Sequence, residues 1–268
     1  MSDERKTSLD AAAVLTVLGC CAVWGLSQVA AKVTLTEVPP LLQAGVRSLG
    51  AALLLLLWSR LRGLPLFGAD GTAGAGVLAG VLFAVEFGCL FIGLQYTSAS
   101  RMVVFLYTAP FVVALGMPLI SKSETLSLVQ GSGLALAFGG VVWAFAEGFA
   151  GSAAPPLQWL GDALGIIAAL LWGLTTLLTR ATRLATALPE KTLLYQLVLS
   201  GVALLLASAL STEVWPHRLS GAVAGTLLFQ VAVVTFASYL AWFWLVRHYP
   251  ATRVAAFTLL TPVFGLLA

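Results

Sequence analysis

A chain of 268 residues with 60% hydrophobic and only 9% charged side chains cannot cover a soluble core, since an ordinary soluble domain carries roughly 25% charged residues. Its net charge of +3 is dispersed and forms no basic patch, which argues against a nucleic-acid partner. Cys20, Cys21 and Cys89 lie inside apolar runs with no histidine cluster nearby, so neither a disulfide framework nor a metal or other cofactor is expected. What remains is an all-α integral membrane protein, with the lipid bilayer as its partner.

A helix needs about 20 apolar residues to cross the hydrocarbon. Nine runs meet or approach that length, at about 10–34, 41–58, 73–94, 99–119, 126–146, 158–179, 192–210, 220–245 and 251–268. The first run follows Arg5 and Lys6 as a signal peptide would. Asp3 and Glu4 in its flank, and its continuation past Gln28, mark it instead as a retained span. On that helix Trp24 and Gln28 are four residues apart and share a face. Arg47 stands about two turns into the second helix. Glu86 falls near the middle of the third, where an ionised carboxylate costs at least about 2.5 kcal/mol. The fourth opens with Arg101, carries Tyr107 in its interior and is interrupted by Pro110. The sixth helix carries Trp172 and Thr176 at the spacing of Trp24 and Gln28. Tyr239 and Trp242 are interior to the eighth. The ninth opens with Arg253, contains Pro262 and is still apolar at Ala268, so a tenth span of roughly 20–30 further residues is expected to follow it.

These landmarks repeat. Ala99-Ser100-Arg101, with Phe105 and Pro110, and Ala251-Thr252-Arg253, with Phe257 and Pro262, share the pattern Ala-[Ser/Thr]-Arg-x3-Phe-x4-Pro. Trp24-Gly25 recurs as Trp172-Gly173. The chain therefore divides into a first repeat over 1–147, a linker over 148–157 and a second repeat over 158–268, the two repeats forming one transmembrane domain. Five spans per repeat is an odd number, so the copies face opposite ways: a ten-helix inverted repeat, 5+5, with its tenth helix beyond the sequence in hand. Inverted repeats of apolar helices are how many secondary transporters are built, because two half-folds can rock about a site between them.

Basic residues assign the sides. With the N-terminus cytoplasmic, the inner segments hold Arg5, Lys6, Arg60, Arg62, Lys122, Arg180, Arg183, Lys191, Arg247 and Arg253. The outer segments hold Lys32, Arg101 and Arg218. That bias follows the positive-inside rule and puts the linker outside. Small residues four apart, at Gly76/Gly80, Ala135/Gly139, Gly161/Gly165 and Gly221/Gly225, mark faces where helices can approach closely.

Trp24, Gln28, Trp172 and Thr176 form two matching faces suited to a central cavity for a small amphipathic molecule. Tyr107, Tyr239 and Trp242 are candidates to line it. Trp58, Trp143, Trp159 and Trp215, near span ends, read as interfacial belt residues. Glu86 admits three readings: a proton-binding coupling group, a counter-charge for a substrate amine, or a hydrogen-bonded pin to a neighbouring helix. Pro110 and Pro262 are hinges or static kinks. Arg101 and Arg253 either gate the loops or anchor helix ends by snorkelling. A Gly-rich phosphate loop, His-Glu-x-x-His and Gly-x-Ser-x-Gly are all missing from the sequence, so no enzyme is expected.

On the Trp-Gly pairs and the two Ala-[Ser/Thr]-Arg turns with their prolines, the chain resembles the drug/metabolite transporter superfamily, in its EamA-like branch of ten-helix exporters. Its run of helices is similar to the aromatic amino acid exporters of that branch. The resemblance implies a basket of ten helices around a central cavity, with Trp172 at a position where an aromatic lines it. It further implies a monomer exporting aromatic and other neutral amino acids from the cytoplasm across the bacterial inner membrane, with coupling to protons left open. Other small metabolites, sugar-nucleotides or drugs are the alternative cargo, and a membrane enzyme acting on lipid-linked substrates is the remaining one.

Overall fold

The computed structural model describes residues 6–68, 70–146 and 156–267, and these are helical throughout their spans with no strand among them. The helices are α1 (Ala11–Thr34), α2 (Pro40–Leu61), α3 (Ala73–Gly93), α4 (Ala99–Leu106), α5 (Ala109–Ile120), α6 (Leu128–Ala144), α7 (Gln158–Ala181), α8 (Pro189–Leu210), α9 (Gly221–Phe229), α10 (Tyr239–His248), α11 (Ala251–Phe257) and α12 (Thr261–Leu267). Seven spans are long and apolar enough to cross a membrane, with α4–α5 counted as one and α9–α10 as another; Leu128–Ala144 and Ala251–Gly265 are shorter apolar helices. All nine apolar runs of the sequence are thus helical.

Local chemistry sets the ends. Asp10 caps α1 by accepting from the Ala13 amide at 2.9 Å, and Ser127 with Gln130 forms a reciprocal capping box on α6. Proline opens α2 and α8, where its missing N–H would be unpaired anyway. Gly63, at φ +64°, stops α2: its amide donates to the Arg60 carbonyl and the Leu64 amide to that of Ser59, which satisfies the last turn.

Both interior prolines break their helices. Pro110 and Pro262 each occupy the second position of a new helix, after breaks at 107–108 and 258–260. Proline cannot donate to the carbonyl four residues back. Beside each break a threonine hydroxyl donates to the carbonyl three residues before it, Thr108 to Phe105 at 2.7 Å and Thr258 to Ala255 at 2.6 Å. The eighth span departs from expectation. Its middle, Gln230–Ser238, is a π-helix, whereas α3, the equivalent third helix of the first repeat, is α-helical throughout.

The helices pair across the repeats. α3 packs on α7 while α1 packs on α9, the π segment and α10; α5 packs on α7 while α1 packs on α12; and α2 packs on α8. Each of the first two pairings has its mirror in the other repeat. Direction follows from close neighbours: Gly45 lies against Leu205 and Gly201 against Leu49, so α2 and α8, equivalent helices, run antiparallel. A two-fold axis along the helices would make them parallel, so the two halves are inverted relative to each other.

Small residues permit these crossings, but not all of those marked in sequence. Gly76 and Gly80 seat Tyr195 and Leu199 of α8, and Gly161 and Gly165 meet Gly93, Thr97 and Met102. Ala135, Gly139, Gly221 and Gly225 are exposed, and among the described residues nothing lies where a Cβ at any of these three glycines would stand. Composition also sorts the tryptophans: Trp143 is 84% and Trp159 66% exposed, against 8% for Trp24 and 5% for Trp242.

Candidate functional site

Where α1, α2, α3, α7, α8 and α10 converge on the α4–α5 break, they enclose a cavity of about 100 Å³. That space is smaller than the roughly 300–1,000 Å³ of ordinary small-molecule sites. Rings form most of the wall. The Trp24 indole donates from Nε1 to Ser238 Oγ at 2.7 Å, which orients it at the centre of an edge-to-face cluster. Its ring centroid is 6.2 Å from Trp172, 6.1 Å from Tyr239 and 5.5 Å from Trp242. Tyr107, at the break before Pro110, meets Trp172 edge-on at 5.9 Å. Such contacts add to area burial because the positive edge of one ring faces the negative face of the next.

Polar groups interrupt this wall. Glu86 and Arg47 are 5% and 4% exposed and both line the cavity. Among the described residues no ion pair within 4.0 Å joins them. The Arg47 guanidinium lies 4.4 Å from the Phe87 ring centroid and 5.4 Å from that of Phe91, where cation–π attraction replaces part of its lost hydration. Gln196 lines the same space, with both ends of its amide unpartnered. Thr175 and Thr176 turn their hydroxyls back on α7, donating to the carbonyls of Leu171 and Trp172.

Seven of the eight cavity residues named from sequence thus share one space: Trp24, Glu86, Tyr107, Trp172, Thr176, Tyr239 and Trp242. The eighth, Gln28, has a side chain outside the described residues. Glu86 has no helix-pinning hydrogen bond among the described residues, and its Oε2 is unpartnered. Arg47 and Gln196 escaped the sequence reading as lining residues, although a register signal was present. Each lies seven residues after the proline that opens its helix, Pro40 or Pro189, so they are equivalent positions of the two repeats.

The hinge and gate candidates separate. Pro110 and Pro262 sit at helix breaks, as above. Arg101 is no free end-anchor: its Nε donates to Asp162 Oδ1 at 3.0 Å and its Nη2 reaches Oδ2, while Thr97 donates to the same carboxylate at 2.6 Å. Arg253 is exposed and borders an apolar groove between α1, α6 and α11–α12.

The opposite end is tied by other pairs. Arg180 meets Glu124 at 3.4 Å, both buried, and the Thr252 amide donates to the same carboxylate at 3.4 Å. Lys191 donates to Asp70 at 2.8 Å; that bond, with help from Thr72, holds the Asp70 carboxyl well below the usual carboxylate range. Lys6 and Asp10 pair beside Tyr249, and the Lys6 ammonium holds the Asp10 carboxyl down at about 2. The segment 148–157 between the repeats lies mostly outside the described residues.

Similarity to known proteins places the chain among transporters. The EamA-like transporter family matches residues 11–146 and again 159–268, one match on each repeat. The "Uncharacterized transporter YoaV" of Bacillus subtilis is 22% identical over 94% of this chain and 86% of its own. A Salmonella typhimurium protein named "Probable amino-acid metabolite efflux pump" is 29% identical over 91% of this chain and 81% of its own. One crystal structure, at 15% identity, superposes with a TM-score of 0.81 over 97% of this chain and 87% of its own, a likeness of fold alone. The chain is a multi-pass membrane protein and belongs to the EamA-like transporter family of the drug/metabolite transporter superfamily.

Proposed function

We propose that this transporter exports amino acids, aromatic and other neutral ones, across the bacterial inner membrane by alternating access, with its N-terminus cytoplasmic and the 148–157 linker outside. The observation that carries this reading is the meeting of Trp24 and Trp172, equivalent residues of the two repeats, in one cavity 6.2 Å apart. A solute held between them touches both halves, so rocking of the halves transfers it from one side to the other. Rings suit an apolar or aromatic side chain, while Arg47 and Glu86 supply one positive and one negative group. A sugar-nucleotide would need several cations, and among the described residues Arg47 is the one basic residue lining the cavity. The name of the Salmonella relative points the same way.

The test is counterflow in proteoliposomes of the full-length protein preloaded with unlabelled amino acids. Saturable uptake of labelled phenylalanine, methionine or threonine is expected, lowered at least tenfold by Trp172→Ala. If no amino acid exchanges, the cargo is another small metabolite of the superfamily.

A further inference from the structure

We infer that Arg47 and Glu86 read the two ends of the amino-acid zwitterion, Arg47 taking the α-carboxylate and Glu86 the α-ammonium, so that the first repeat sets backbone recognition while the ring cluster takes the side chain. This rests on the amino-acid reading above and deepens it.

Four observations carry the assignment. First, the unpartnered atoms of Arg47 are Nε and Nη2, the two nitrogens of one guanidinium edge. That edge matches a carboxylate bidentately, and this protein already uses it so: Arg101 grips Asp162 through its own Nε and Nη2. Arg47 presents the same edge with no carboxylate on it. Second, Glu86 Oε2 is also buried and unpartnered. Buried polar atoms without partners are rare and call for an explanation, and a charged pair at mid-membrane is retained where function needs it. Third, the two groups lie on neighbouring helices of one cavity yet do not close on each other. The rings of Phe87 and Phe91 lie against the guanidinium, while its Nε–Nη2 edge has no partner.

Fourth, the equivalent positions of the second repeat are Gln196 and Ser238. Both are polar and neither is charged, and Ser238 is occupied by the Trp24 indole at 2.7 Å. The cavity therefore has a charged side and a neutral side. A zwitterion with an apolar side chain has the same polarity, and its orientation between the repeats follows.

The experiment compares three compounds as competitors of labelled phenylalanine in counterflow: phenylalanine, phenylalaninamide, which lacks the carboxylate, and 3-phenylpropionate, which lacks the amine. The wild type should prefer phenylalanine over each analogue at least tenfold. Arg47→Gln should collapse the preference over the amide while keeping that over the acid, and Glu86→Gln should do the reverse. Arg47→Lys and Glu86→Asp, which keep the charges, should retain both preferences in weakened form. These are ratios within one sample, so a lower yield of folded protein does not move them. Where a variant exchanges too slowly, the same compounds are titrated against the tryptophan fluorescence of the purified protein. Phenylalanine exchange with unaltered ratios in both glutamine variants would overturn the assignment and leave the transport reading standing. A wild type that exchanges no amino acid would overturn both.

Discussion

The first turns of α4 and α11 carry a hydroxyl residue and an arginine in the same register, Ser100-Arg101 and Thr252-Arg253, yet they are held in different ways. At α4 the arginine makes the contact, in an ion pair with Asp162 of α7 reinforced by Thr97. At α11 the arginine is exposed and Thr252 makes the contact, through the Glu124 carboxylate that also meets Arg180 of α7. The position equivalent to Asp162 on α1 is Val14, so the first device cannot be copied at the second end. The repeat preserves backbone geometry, down to the break before each proline, while each end has acquired its own polar fastening. Both fastenings grip α7, one near each of its ends. One helix is thus fastened near both of its ends by bonds that differ in burial.

The largest expected effect probes that difference directly. Glu124 and Arg180 are 3% and 8% exposed, and removing one partner of a buried pair costs about 3–5 kcal/mol. Glu124→Ala should therefore lower thermal stability in detergent far more than Asp162→Ala. Arg101 and Asp162 are 17% and 14% exposed, and the loss there should be about 1–2 kcal/mol, between exposed and buried pairs. Equal losses in the two variants would remove the contrast.

Next come the glycines of the two Trp-Gly landmarks. A Cβ at Gly25 would stand 2.6 Å from the Gly265 backbone nitrogen, whereas one at Gly173 would meet the Val112 side chain at 2.5 Å. A Cβ moves only with its backbone, so neither contact can be relieved by a change of rotamer. Gly25→Ala and Gly173→Ala should each cost about 2–3 kcal/mol, within the range for overpacking, as read from unfolding midpoints.

A smaller asymmetry separates the two tryptophans themselves. Trp24→Phe removes the hydrogen bond to Ser238 and should cost about 1 kcal/mol beyond the lost ring area. The Trp172 indole makes no hydrogen bond among the described residues, so Trp172→Phe should cost only the lost ring area while slowing exchange. Paired melting and counterflow measurements on both variants check this.

The smallest effect concerns pH at the clasp of Lys6, Asp10 and Tyr249. The folded carboxyl of Asp10 titrates at about 2, below the ordinary value near 3.9. Its contribution is therefore present above about pH 4 and lost as pH falls through the folded value. Lys6 is shifted upward, so its contribution is present below about pH 10 and lost only as pH rises through the raised value. The melting difference between wild type and Asp10→Asn should be flat from about pH 5 to 9 and shrink in stronger acid. A slope within that window would mean that another group controls the clasp.

Much of this was legible in the amino-acid order. Hydrophobic run length marked the nine helices, because a span in lipid must satisfy its backbone internally and can be little else. Proline chemistry marked both breaks. Repeated residues marked Trp24 and Trp172 as equivalent, and their aromatic, mid-span character separated them from the exposed Trp143 and Trp159. What the sequence could not supply was which face of each helix meets another. Gly161/Gly165 and Gly221/Gly225 are the same motif, but only the first has a helix against it, since spacing records a face and not its neighbour. Arg47 and Gln196 became cavity residues, and Arg101 a partner of Asp162, only when helices distant in sequence were brought together. The π-helical stretch over Gln230–Ser238 likewise has no counterpart signal in a run of ordinary apolar residues. Composition and periodicity determine that a segment crosses the membrane and how it is broken. The meeting of two charged groups inside depends on rotation and register between helices, and those are decided by packing.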